Sequence, residues 1–146
     1  ISDRLHISLY KDLTDYHRRQ SEKQTISLEK FFGIDSDLVL EKERHVMVLI
    51  CQTAPLLLAA ETREELVAWE VTIRAHLGVE RQFHIRLLKV PPLSCVPLGP
   101  CKLYVHGQSL CITSDSSLPP RILASWDVQD LRRFGLIEGN FCFEVG

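Results

Sequence analysis

At 146 residues and 16.7 kDa the chain is long enough for one ordinary domain or two small ones. Apolar residues at 45%, charged residues at 25% and only 7 Gly and 7 Pro exclude a disordered, collagenous or low-complexity chain, and no apolar run approaches the ~18 residues of a membrane span. Ten basic residues stand against thirteen acidic ones up to Gly78 and seven against six after it, so neither part carries the basic stripe that nucleic-acid binding needs.

The alternation of Leu5-His6-Ile7-Ser8-Leu9-Tyr10 predicts a half-buried strand, followed by a charged, solvated loop over residues 11–23 that holds His17, Arg18, Arg19 and Lys23. Residues 25–28 alternate again, and residues 33–37 read as a turn. Residues 46–51 and 56–59 are apolar runs split by Gln52 and Pro55, which predicts a hairpin of well-buried strands. Thr62-Arg63-Glu64-Glu65 has the spacing of a capping box, so a helix begins there. Its apolar residues Leu66, Trp69, Ile73 and Leu77 recur at helical spacing, which puts Trp69 in the core, and Gly78 stands where an αL stop belongs.

Beyond Gly78 the pattern is mainly β. Phe83, Ile85 and Leu87 alternate, residues 90–100 form a proline-rich connection, and Leu103-Tyr104-Val105 faces Leu110-Cys111-Ile112 across a turn at Gly107. Residues 114–120 are a loop and 122–126 a strand in which Trp126 points inward. Residues 127–133 read as a turn or short helical segment, and 141–145 as a last strand. Five cysteines, an odd number without C-x-x-C spacing, fit reduced thiols in the cytosol. Cys95, Cys101 and His106 match no standard zinc spacing, and His106-Gly107-Gln108-Ser109 with Asp115 lacks a nucleophile elbow. No metal, cofactor or catalytic activity is expected. The fold class these patterns imply is α+β, mainly β: two antiparallel, sandwich-like modules of pleckstrin-homology type, the first sealed by a helix.

Several residues sharpen this into a resemblance. A strand, a basic loop, a short strand, two buried strands and a capped helix centred on Trp69 resemble the C-terminal two-thirds of a pleckstrin-homology domain. Trp126-Asp127-Val128-Gln129-Asp130-Leu131-Arg132-Arg133-Phe134-Gly135, followed by Phe141-Cys142-Phe143-Glu144-Val145-Gly146, resembles a phosphotyrosine-binding domain of the insulin-receptor-substrate type. The tandem, with Ala75-His76-Leu77-Gly78 running into Arg81-Gln82-Phe83-His84, is similar to docking proteins of the downstream-of-kinase family. The resemblance implies a partial pleckstrin-homology domain over residues 1–78, without its first two strands, and a partial phosphotyrosine-binding domain over residues 79–146, without its C-terminal strand and helix. The opening at Ile1 and the stop at Gly146 fit a piece excised from a longer chain.

The function so implied is that of a non-catalytic adaptor. It would bind Asn-Pro-x-phosphotyrosine motifs of a receptor tyrosine kinase, such as the insulin receptor, or of an associated protein. It would work in the cytoplasm at the inner face of the plasma membrane, with phosphoinositides and a second copy of itself as further partners. The alternative is a phosphoinositide-binding or dimerising module whose phosphotyrosine pocket is vestigial. In the family two arginines hold the phosphate; the first maps to Arg132, and the second would follow Gly146, where this sequence ends. Arg133 is read as a surface charge. The strand that would pair with the peptide comprises Phe141, Cys142, Phe143, Glu144, Val145 and Gly146, and lipid headgroups would meet Arg18, Arg19 and Lys23 unless that segment is simply a solvated loop.

Overall fold

Strand β1 (His6–Leu9) pairs antiparallel with β2 (Gln24–Ser27), and three further strands, β3 (Phe31–Leu38), β4 (Val46–Cys51) and β5 (Leu56–Ala59), form a sheet in that order. The computed structural model describes residues 6–9, 24–28, 30–38, 40, 42–115 and 117–146, so the basic loop, with Arg18, Arg19 and Lys23, lies outside the described residues. Helix α1 (Arg63–Leu77) follows. A second sheet then runs in chain order through β6 (Arg81–Leu87), β7 (Gly99–His106), β8 (Ser109–Ser114) and β9 (Ile122–Asp127). A single 3-10 turn (Val128–Asp130) leads into a separate hairpin of β10 (Leu131–Ile137) and β11 (Asn140–Val145). The fold is thus mainly β, antiparallel throughout, with sheets that stay open rather than closing into barrels.

Strand β4 organises the packing. Its run Val-Met-Val-Leu-Ile-Cys is buried at every position, because each of its two faces is covered by a different layer. Met47, Leu49 and Cys51 join Phe31 and Ile34 beneath Leu66 and Ile73 of α1. Val48 and Ile50, on the opposite face, join Phe32 against Tyr104 and Cys111 of the second sheet. The expected turn over residues 33–37 is instead part of β3, where Gly33 pairs with Ile50 and faces Tyr104. A Cβ at Gly33 would lie 2.5 Å from Tyr104 Cδ1 and 2.8 Å from Glu80 Cγ, so this glycine is there for close approach and not for chain reversal.

The helix begins as its spacing implies, with Thr62 Oγ1 accepting from the Glu65 N–H at 3.2 Å. Gly78 ends it with φ 92° and ψ 161°, a glycine-only extended conformation rather than the αL pair expected. His106 reaches over from β7, where Nε2 donates to the Leu77 carbonyl oxygen at 2.7 Å and caps the helix from the other sheet.

Trp69 corrects the expected stripe: it is 52% exposed, while Leu66 and Ile73 are buried. The buried arc of α1 is rotated toward Glu70 and Arg74, which are ion-paired, and Trp69 falls about 90° from the centre of this arc. Trp69→Ala is therefore expected to cost only about 1 kcal/mol, similar to the loss of the Thr62 cap in Thr62→Ala, and denaturant midpoints of the two variants should shift alike.

Burial also sorts the five cysteines. It pushes the Cys51 thiol up to about 11 and that of Cys111 up to about 12, and it raises Cys101 as well. Cys95 and Cys142 are exposed. A colorimetric thiol reagent at neutral pH should accordingly titrate these two at once and the other three only after unfolding.

Between the sheets lies a polar seam. The Glu80 side chain, 1% exposed, accepts 2.6 Å and 3.1 Å bonds from Arg74, a 3.2 Å bond from the Ile34 N–H and a 2.7 Å bond from Gln82 Nε2. Burial alone would raise this carboxyl, but the hydrogen bonds from Arg74, from its own backbone, from Gln82 and from Ile34 outweigh burial and hold it below the ordinary carboxylate range. The sign follows from linkage: a depressed carboxyl stabilises the fold above its unfolded value of about 4.3, and that stabilisation is lost as pH falls toward the lower folded value. Acid unfolding monitored by circular dichroism should thus be shallower below about pH 4.3 in Glu80→Gln than in the parent chain, from a lower starting stability.

Candidate functional site

The β10–β11 hairpin carries the residues singled out for phosphate and peptide binding. The turn joining its strands is Glu138-Gly139, with φ 51° and 81°, the pair of positive values that a tight two-residue hairpin requires. Sequence periodicity missed β10: residues 131–133 belong to this strand and not to a helical segment, since only Val128–Asp130 form the 3-10 turn. The signal that was present is the two-residue Glu-Gly spacer between two potential strands, masked by the paired charges Arg132-Arg133.

Cross-strand pairs are Leu131 with Val145, Phe134 with Phe143, and Leu136 with Phe141, all on one face of the hairpin. Phe143 is anchored edge-on by Trp126 at 5.0 Å between ring centroids, so Trp126 is half-buried between β9 and the hairpin. Phe134, Leu136 and Phe141 are exposed on the same face.

The register shifts between Leu131 and Arg133, leaving Arg132 as the extra residue of a bulge. Bulges redirect side chains, and this one separates two adjacent arginines. Arg133 sits opposite Glu144 at 4.0 Å, both widely exposed. Arg132 lies across the end of β11, where a Cβ on Gly146 would collide with its guanidinium, while the Gly146 N–H donates to the Asp130 carbonyl at 3.2 Å. The structure thus brings Arg132 to the end of the strand containing Phe141, Cys142, Phe143, Glu144 and Val145. One edge of that strand pairs with β10, and the other has no partner strand among the described residues. Chemically, this is a guanidinium fork beside an open strand edge, the two elements that hold an extended anionic peptide.

Elsewhere, an open groove of about 420 Å³ runs between residues 51–55 and the loop ending at Ile122, lined by Gln52, Thr53, Pro119 and Arg121. Ser125 donates to Gln52 at 3.1 Å beside it. No helix among the described residues is long and apolar enough to cross a membrane.

The arrangement defines an open, mainly β fold that presents a strand edge and an arginine. Comparison with known proteins places it beside Dok-7. Mouse Dok-7 is 30% identical to the chain over 146 residues, all of it, and the human and Takifugu rubripes Dok-7 proteins are each 29% identical over the same span. The chain spans 28% of the length of each of these relatives. The resemblance to the downstream-of-kinase family, read from Ala75-His76-Leu77-Gly78 running into Arg81-Gln82-Phe83-His84, is matched by a similarity that extends from one end of the chain to the other. No family model matches it.

Proposed function

We propose that this chain is a non-catalytic docking module of receptor tyrosine kinase signalling. It works in the cytoplasm at the inner face of the plasma membrane and holds an Asn-Pro-x-phosphotyrosine segment of a receptor or of a protein bound to one. The similarity to Dok-7 over all 146 residues supports the adaptor class. The observation that carries the phosphotyrosine reading is Arg132, set apart from Arg133 by a bulge and aimed across the end of β11.

A phosphotyrosine brings a charge of about −1.5 to −2 and three acceptor oxygens, which a guanidinium meets with paired, charge-assisted bonds. The residues preceding it in the peptide would extend the sheet along the open edge of β11, where main-chain bonds give affinity and side-chain pockets give selectivity. The residues before Gly78 serve membrane recruitment, with phosphoinositide headgroups as their ligands.

Titration calorimetry of the full-length protein with a phosphorylated Asn-Pro-x-Tyr peptide and its unphosphorylated twin tests the reading. Binding of the phosphorylated peptide alone is expected. Equal binding of both, or vesicle binding without any peptide binding, would overturn it.

A further inference from the structure

The covalent boundary at Gly78 is crossed by both apolar and polar contacts, and among the polar ones are four residue pairs of the seam: Ile34–Glu80, Ile34–Gln82, Arg74–Glu80 and Asp35–Lys102. Ile34 lies on β3, at the edge of the first sheet. Its N–H donates to the Glu80 carboxylate and its carbonyl accepts from the Gln82 side-chain amide, so two side chains of the second part take up the two main-chain groups that a neighbouring strand would otherwise engage. Glu80 is in turn gripped by Arg74 of α1, which also bonds Glu70 at 3.0 Å. One residue on, Asp35 of β3 pairs with Lys102 of β7 at 3.4 Å, with side chains only 10% and 7% exposed.

Around these polar ties the apolar packing is continuous. Val48, Ile50, Tyr104 and Cys111 are all fully buried, and each loses its cover if the two parts separate. A separation would also break the Arg74–Glu80 and Asp35–Lys102 pairs, in which the Glu80, Asp35 and Lys102 side chains are at most 10% exposed.

We propose that the parts before and after Gly78 fold and unfold as a single cooperative unit, locked in one orientation by a latch centred on Glu80, with Arg74, Gln82 and Ile34 as its partners. This inference is independent of the docking reading, because it rests on the seam and not on the hairpin. It assigns Glu80 and Gln82 a positioning role: they fix the sheet that carries the β10–β11 hairpin relative to α1.

Each part contains one tryptophan, Trp69 in α1 and Trp126 in β9, so the two can be followed separately. In the full-length protein, fluorescence of Trp69→Phe and Trp126→Phe variants, with other tryptophans outside this chain replaced in the same way, reports each part during urea unfolding. Ile73→Val, a mild change in the core beneath α1 whose packing partners all precede Gly78, is introduced into both backgrounds, as is Glu80→Gln. The expected result is that Ile73→Val and Glu80→Gln, each measured against its own background, move the Trp126 transition by the same urea increment as the Trp69 transition. The backgrounds themselves should unfold with equal steepness. A shift confined to the Trp69 signal, or two transitions of different steepness, would show independent parts and overturn the proposal.

Discussion

Arg132→Ala is expected to weaken binding of the phosphorylated Asn-Pro-x-Tyr peptide about ten- to a hundredfold, the loss of roughly 1.5–3 kcal/mol from a hydrogen bond to a charged group. The unphosphorylated twin should bind alike to parent and variant, since it offers no dianion. Arg133→Ala should do far less. Its side chain is paired across the hairpin with Glu144 and leaves the strand beyond the bulge, away from the end of β11 that Arg132 crosses. Arg132→Lys restores a charge but not the planar fork and should recover only part of the affinity. Calorimetry on the full-length protein is the measurement. Equal phosphopeptide affinity in Arg132→Ala and the parent would remove this residue from the site.

Gly33→Val should cost about 3–5 kcal/mol, a large share of the 5–15 kcal/mol that a folded chain of this size commands. The first added carbon already meets the Tyr104 ring at 2.5 Å and Glu80 at 2.8 Å, and neither can yield freely. Moving the ring opens the layer it shares with Val48, Ile50 and Cys111; moving Glu80 breaks its bonds to Arg74, Gln82 and Ile34. Overpacking and a broken buried ion pair thus act together. Gly33→Ala should cost less, about 1–3 kcal/mol, and Tyr104→Leu, which removes the ring edge, should make the same Gly33→Ala change cheaper. Denaturant midpoints of the two single variants and the double variant check this: strict additivity would mean that Tyr104 is not what confines Gly33.

Local signals served well where a residue's role is set by its neighbours in sequence. Thr62 and Gly78 bracket α1 because capping and a positive φ are properties of a few consecutive residues. The turn at Gly107, also at positive φ, was legible for the same reason. Periodicity failed where a distant contact decides. Trp69 sits at the right spacing for a core position, but the packed face of α1 takes in Leu66 and Ile73 and the flank of Glu70 and Arg74, which leaves Trp69 half in solvent. Gly33 looks like a turn residue in sequence and is a strand residue beneath a tyrosine 71 positions away. Arg132 and Arg133 are adjacent and chemically alike, and only the bulge, which depends on the pairing of β10 with β11, gives them different surroundings.

By itself the sequence determined the class of fold, the helix and its ends, most of the strands, and the blocks that carry the resemblance reported above, because each depends on short-range periodicity, capping or contiguous motifs. The apolar runs over residues 46–51 and 56–59 implied that β4 and β5 are both well buried, which holds for β4 but not for β5, where Leu57 faces solvent. Which layer covers each face of β4 was decided only by the tertiary structure. So were the separation of Arg132 from Arg133 and the latch at Glu80, a residue whose sequence neighbours say nothing of Ile34. Burial of a carboxylate is tolerated only when partners from several elements converge on it, and that convergence exists nowhere but in the folded chain.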